Sequence, residues 1–483
     1  MSWESTAQSS PAPTVMKTDL EADAIGLLGA TMQAITHIAP AIAGFFFTGL
    51  VVSLAGVTAP LAYTIGFLLV LMLGVTLHQL AKHMPSAGGY YTYISRGLHP
   101  RAGFLTSWMY ILYSPLVGGP LAGMFGYIVA GELKATWGVD VPWLWWASVL
   151  IFAPVTAYLQ WEGIKPSTRF IVITGGIEMI IVMALAITGF LVPPPGSGGI
   201  SFDNFNPALI PAGAGFSLAV VFTVQGLTGW EASAPLAEET KDPKRNVPLS
   251  VMLSIVLIGS FLVIVFWGTL TGFGNKVDDV VGATPVPALV LAHRVWGGGF
   301  IIILFAFLNS VAAVSIACAN VGTRMWYSMA RSGSFPKALA TLHPKHKTPT
   351  NAILLQMALN LAAGIYVGFV WDPLTGFFLV TGLMLVLAVS VAYLLANVAV
   401  FRFYWTEHRS EFNWIYHFVF PVVSSVILIY AIVKSFPLAT PFDVAPFVDG
   451  GWFVIGIIIL IVLRQRGNEE WLSKAGASIG ESV

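Results

Sequence analysis

Long apolar runs separated by short polar segments make up most of this chain. A helix needs roughly 20 apolar residues to cross a bilayer. Twelve runs qualify, at about 24–54, 59–82, 102–131, 142–160, 168–192, 213–236, 248–272, 296–330, 350–371, 376–403, 414–436 and 446–463. The pattern predicts an all-α membrane protein with 12 transmembrane helices. A polar stretch over 1–23, containing Pro11 and Pro13, reads as a disordered tail, and 464–483 as a second tail. Between them lie a first block of five spans (24–192), a second block of five (213–403) and two C-terminal spans (414–463).

Two spans break the apolar pattern, and they occupy equivalent places in the two blocks. Span 1 contains Thr36-His37-Ile38-Ala39-Pro40-Ala41, and span 6 runs into Gln225-Gly226-Leu227-Thr228-Gly229-Trp230-Glu231. Corresponding interrupted helices in two halves point to an inverted-repeat transporter and to its site. Pro40 disrupts the helix before it, and Ala39, Ala41, Ala43 and Gly44 leave room for a ligand to approach the backbone. The second half of a broken helix begins with free N–H groups, which favour a carboxylate. A simple proline kink between packed helices is the alternative.

Composition narrows the class. Of 483 residues, 56% are hydrophobic and 10% charged, against about 25% charged in a soluble protein; mean hydropathy is +0.80. The 23 Lys and Arg balance 23 Asp and Glu, so there is no basic face for nucleic acid. With both termini inside, 19 of the 23 Lys and Arg fall on the inner side, which predicts a multi-pass protein of the cell (inner or plasma) membrane with cytoplasmic termini. One cysteine, Cys318, excludes a disulfide framework and a cysteine metal cluster; its apolar flanks suit a buried, inert thiol. No Walker motif, His-Glu-x-x-His or Gly-x-Ser-x-Gly is present, so neither an enzyme nor a metal or organic cofactor is expected.

The candidate chemistry lies inside the spans. Glu178 and Glu231 are intramembrane carboxylates, costly unless they face a cavity or a partner. Glu231 is a candidate to carry a proton, to bind a cationic group, or to lock the unwound segment by accepting backbone hydrogen bonds. Glu178 is a candidate for proton or cation coupling between spans 5, 1 and 8, or a helix–helix hydrogen-bonding group. His37 serves either as a ligand contact or as an interhelical partner. Ser310, Ser315 and Asn320 on span 8 suit a cation site or interhelical hydrogen bonding. Phe222 and Trp230 are candidates to close over a substrate. The charged loops after spans 6 and 8 read as topogenic or gate-closing.

Three ordered motifs then carry a family resemblance: Met84–Trp108 (MPSAGGYYTYISRGLHPRAGFLTSW), Gly229–Pro248 (GWEASAPLAEETKDPKRNVP) and Thr323–Pro349 (TRMWYSMARSGSFPKALATLHPKHKTP). The chain resembles the amino acid–polyamine–organocation (APC) permease superfamily over nearly its full length. The resemblance implies a 5+5 inverted-repeat (LeuT-like) core with broken helices 1 and 6 plus two C-terminal helices. It implies a substrate near the midplane, its carboxylate on the span 1 backbone from His37 to Gly44 and its amino group on span 6 carbonyls from Phe222 to Gly229. Tyr110 matches an aromatic that lines the site in relatives. The chain departs from the family in three places. HIAPAIAG stands where many relatives have a glycine-rich break, Gln225 where some have an aromatic gate, and Glu178 where some proton-coupled relatives have a lysine.

These readings predict a secondary active transporter that imports a small amino acid or related amine, coupled to H+ rather than Na+ through Glu178 and Glu231. An exchanger of the same fold is the alternative. A ligand sensor or channel is the alternative of a different class. Expected partners are the small-molecule substrate and the bilayer; the oligomeric state is not legible.

Overall fold

The computed structural model describes residues 18–283, 286–377, 382–434, 436, 438, 442–467 and 469–478. Pro11, Pro13 and the rest of 1–17 lie outside them. Within the segment expected to be a disordered tail, Leu20 is buried against Ala87 and Tyr327.

The described residues are helical apart from loops and two isolated β-bridges. In chain order the helices are α1 (Leu27–Ile38), α2 (Pro40–Ala55), α3 (Ala59–His83), α4 (Tyr90–Gly97), α5 (Pro100–Trp137), α6 (Leu144–Trp161), α7 (Ile164–Leu191), α8 (Gly215–Leu227), α9 (Pro243–Gly272), α10 (Val277–Gly282), α11 (Pro287–Trp296), α12 (Phe300–Ser332), α13 (Thr350–Trp371), α14 (Pro373–Phe377), α15 (Leu385–Thr406), α16 (Phe420–Lys434) and α17 (Ala445–Gln465). Among them are ten helical runs long and apolar enough to cross a membrane; Leu27–His83 is one such run, and Gly215–Leu227 is a shorter apolar helix. The apolar pattern does not separate α4, α10 and α11, because α4 and α10 are short and α11 forms one apolar run with α12, Pro287–Ser332.

Proline starts many of these helices. Pro40, Pro100, Pro243, Pro287 and Pro373 each occupy the first helical position, where no intrahelical N–H bond is lost and φ is already set. Glycine brings the long helices together. Gly119 on α5 faces the Asn360 carbonyl and Gly364 on α13, and Gly189 on α7 faces Gly268 on α9, with no room for a Cβ at either crossing. Such small-residue contacts let helix backbones approach closely inside a bilayer. The same close packing holds α3 and α7 against α9, and α12, α13 and α15 against α5. The interior of this bundle is where α1 ends, α2 begins and α8 ends.

Candidate functional site

Both expected interruptions are present. Helix α1 stops at Ile38, Ala39 takes a left-handed conformation (φ 59°), and α2 begins at Pro40. Helix α8 stops at Leu227; residues 228–233 form turns, and a 3-10 helix covers Ala234–Glu239. Each break leaves carbonyls at the end of the first half and amides at the start of the second.

The chain's own carboxylates meet those amides. At span 1 the Ala41 amide donates to Glu178 Oε1 at 2.8 Å, while Asn309 Nδ2 donates to Glu178 Oε2 at 2.8 Å. Helices α2, α7 and α12 therefore converge on one buried carboxylate, 1% exposed. At span 6 the Gly229 amide donates to Glu231 Oε2 at 3.1 Å, and the Tyr110 and Tyr393 hydroxyls donate to Oε1 at 3.1 and 3.3 Å. Glu231 closes a loop on its own segment, which is the locking geometry considered for it. The free amides expected at the span 1 break are thus largely occupied from within.

Between the breaks lies a cavity of about 40 Å³, lined by His37, Ile38, Ala39 and Ile42, by Gln225, Gly226 and Thr228, and by Tyr113 from α5. This volume holds only a few waters. His37 stacks on Tyr113, with ring centroids 5.3 Å apart, and His37 Nε2 lies 3.1 Å from Cys318 Sγ. His37 Nδ1 is buried with no hydrogen-bond partner. The Tyr113 hydroxyl donates to the Thr228 carbonyl at 3.4 Å, tying α5 to the span 6 break. Gly229 presses on His37: at its φ of 121°, a Cβ would fall 2.7 Å from His37 Cδ2 and 2.9 Å from the His37 carbonyl carbon.

The remaining sequence candidates fall outside this cavity lining. Gly44 packs on Val265 of α9, where a Cβ would lie 2.9 Å away. Trp230 packs at a tilt against Tyr393, ring centroids 5.4 Å apart, and its carbonyl accepts from Ser254; Phe222 pairs with Phe47. Pro40 and Ala41 serve the break, and Tyr110 serves Glu231, rather than the cavity wall. Ser310 stands beside Glu178, whereas Ser315 donates to the Val311 carbonyl and faces Gly118 on α5. Sequence reasoning missed Tyr113, one turn beyond Tyr110, and Asn309, the residue before Ser310. Both are polar residues inside apolar spans, but the direction in which each points is not written locally.

Beyond the span 6 break the chain is fastened to α12 and to the segment before α1. Arg324 Nε and Nη2 donate to Glu239 at 2.9 and 3.0 Å, and both side chains are out of solvent (0% and 1% exposed). Arg331 pairs with Glu238, which also accepts the Ala87 amide at 2.9 Å. Burial of Glu238 opposes its charge, but the Arg331 hydrogen bonds and charge prevail and hold its carboxyl below the usual value. Ile25 exchanges backbone hydrogen bonds with Glu239 and Lys241 at 3.0 and 2.8 Å. The charges after spans 6 and 8 thus pair with one another across the two segments.

A family model described as amino acid permease matches residues 29–471. The chain belongs to the amino acid permease family. The permease is 23% identical over 325 residues to the low-affinity putrescine importer PlaP of Escherichia coli, covering 65% of this chain and 69% of that one. It is 29% identical over 349 residues to the aromatic amino acid transport protein AroP of Corynebacterium glutamicum (68% and 71% covered). It is 25% identical over 343 residues to the L-methionine/branched-chain amino acid exporter YjeH of Escherichia coli (69% and 74% covered). These relatives are named for different substrates and for opposite directions, so family membership fixes transport across a membrane and leaves the cargo of this permease to its own residues.

Proposed function

We propose that this permease imports a small amino acid or related amine by alternating access, coupled to protons, in the cell membrane with both termini cytoplasmic. The observation that carries the reading is the meeting of two interrupted helices around a cavity; the buried Arg324–Glu239 and Arg331–Glu238 pairs beyond the second break are the gate of this reading. Such a site emptied alternately to either face is a carrier rather than a pore. In this reading there are twelve crossings. The run Leu27–His83 turns at Gly56–Thr58 and counts twice, and α8 crosses together with the turns and 3-10 helix after it. Spans 1–5 and 6–10 form the two halves of a 5+5 inverted repeat, with α16 and α17 outside it.

Protons rather than Na+ fit the surroundings of Glu178. The Ala41 amide and the Asn309 side-chain amide both point hydrogens at this carboxylate, and Ser315 faces elsewhere. A sodium ion needs several oxygen acceptors converging on it, whereas a carboxylate ringed by donors can still exchange a proton. The positive-inside count supports the orientation, and no covalent step is required.

Reconstitution into proteoliposomes tests this. Uptake of a labelled amino acid or amine should be driven by an inward proton gradient and abolished by a protonophore. Counterflow without any gradient dependence would reassign the permease to exchange. Flux without counterflow, at rates above those of a carrier, would make it a channel.

A further inference from the structure

We infer that Glu178 is a specificity residue: it occupies the place of a substrate carboxylate, so that the site selects a small protonated amine carrying no carboxylate. This rests on the reading of the cavity as the transport site.

The argument is an inventory of backbone groups. A helix start offers four amides without intrahelical partners. At α2 these belong to Ala39, Pro40, Ala41 and Ile42. The Ala39 amide returns to the Thr36 carbonyl, Pro40 has none, and the Ala41 amide is on Glu178. Only Ile42 remains on the cavity side, and the next amide, Ala43, is already bonded to Ala39. A carboxylate has two oxygens with about four acceptor sites. One remaining amide, beside a carboxyl group that already holds its neighbour, is a poor receptor for it. At the second break Glu231 plays the same part by taking the Gly229 amide.

With the Ala41 and Gly229 amides taken by internal carboxylates, the cavity is left mainly with the opposite ends. His37, Ile38 and Ala39 close α1, and Gln225, Gly226 and Thr228 lie at the end of α8. Helix C-termini present carbonyls and the negative end of the dipole, which favour a cation. Two buried glutamates stand near, and their hydrogen bonds come from neutral amides and hydroxyls. His37, whose Nδ1 is buried without a hydrogen-bond partner, lines the cavity beside Ile38, Ile42, Val117 and Leu121.

Matched pairs of an amino acid and the amine left after its decarboxylation give the test: ornithine with putrescine, lysine with cadaverine, leucine with isoamylamine, tyrosine with tyramine. Thermal-shift titration of the full-length permease in detergent, and counterflow in proteoliposomes, should favour the amine by about tenfold or more in at least one pair. In Glu178→Ala, which frees the Ala41 amide, that preference should fall several-fold or reverse. Glu178→Gln, which keeps an acceptor for Ala41, guards against loss of folding and should weaken discrimination without abolishing binding. If parent amino acids bind and are carried as well as their amines, the inference on Glu178 falls while the transporter reading stands. If no member of any pair shifts stability or drives counterflow, both fall. A preference for amines unchanged in a folded Glu178→Ala would also overturn the assignment.

Discussion

Two pairs of buried glutamates lie close together in this permease, and their partners differ. Glu178 and Glu231 are held at the helix breaks by amides and hydroxyls alone. Glu238 and Glu239, seven and eight residues beyond Glu231, are held by guanidinium groups. Burial is nearly the same for all four, so burial does not distinguish a site from a fastening. The partners do. A carboxylate satisfied by a fixed cation has no use for a second one, whereas a carboxylate ringed by neutral dipoles keeps its field available to a proton or a cationic ligand.

The contrast can be broken most forcefully at Arg324. Arg324→Met leaves Glu239 buried and unpaired, which should cost about 3–5 kcal/mol, while Arg324→Met with Glu239→Leu should recover most of it. Thermal melts of the purified variants read both. A single variant as stable as the parent would show that the fastening is not charge-dependent. Removing the neutral-donor type of partner should matter less: Glu231→Ala leaves the Gly229 amide and two tyrosine hydroxyls without their acceptor, a loss of about 1–3 kcal/mol. Glu231→Gln should retain the fold and report on transport alone. If Glu231→Ala melts like the parent but carries nothing, Glu231 acts on the ligand directly rather than as a lock.

Acid should separate the pairs by a smaller amount. Glu238 is held below its ordinary value of 4.5 in the folded protein, so its contribution is complete above that pH. It is lost as the pH falls below 4.5 toward the folded value. A melt series from neutral to acid pH should show this loss, and it should vanish in Glu238→Gln. The smallest effect is expected at the hinge. Ala39→Gly relieves a left-handed alanine but frees the unfolded chain, so stability should move by no more than about 1 kcal/mol. Ala39→Val should destabilise clearly, because a β-branched side chain fits that conformation poorly. Equal melts for the two would mean that the break sits elsewhere.

Much of this was legible in the chain. A proline inside an apolar run marked the span 1 break, glycines before a glutamate marked that of span 6, and Glu178 and Glu231 stood out because charge is rare in such runs. The junctions between residues were not legible. Ala41 and Glu178 are 137 positions apart, and nothing near either names the other. Gly44 and Gly226 look alike as residues that admit a ligand, yet one packs on α9 and the other lines the cavity. A helix apolar on every side gives no periodic signal of which face turns inward. The same lack of a marked face hid Tyr113 behind Tyr110 and Asn309 behind Ser310.

The paired backbone bonds of Ile25 with Glu239 and Lys241 have a further consequence. Side-chain fastenings are erased by a single codon change, but main-chain ones are spelled by no particular residue. This join between the lead-in to α1 and the lead-out from the span 6 break can therefore persist while its letters drift, and among ordinary substitutions only proline, which has no N–H to give, removes one of its two bonds, at residue 25 or at residue 241. The two interrupted helices are joined by bonds that most side-chain changes would leave in place.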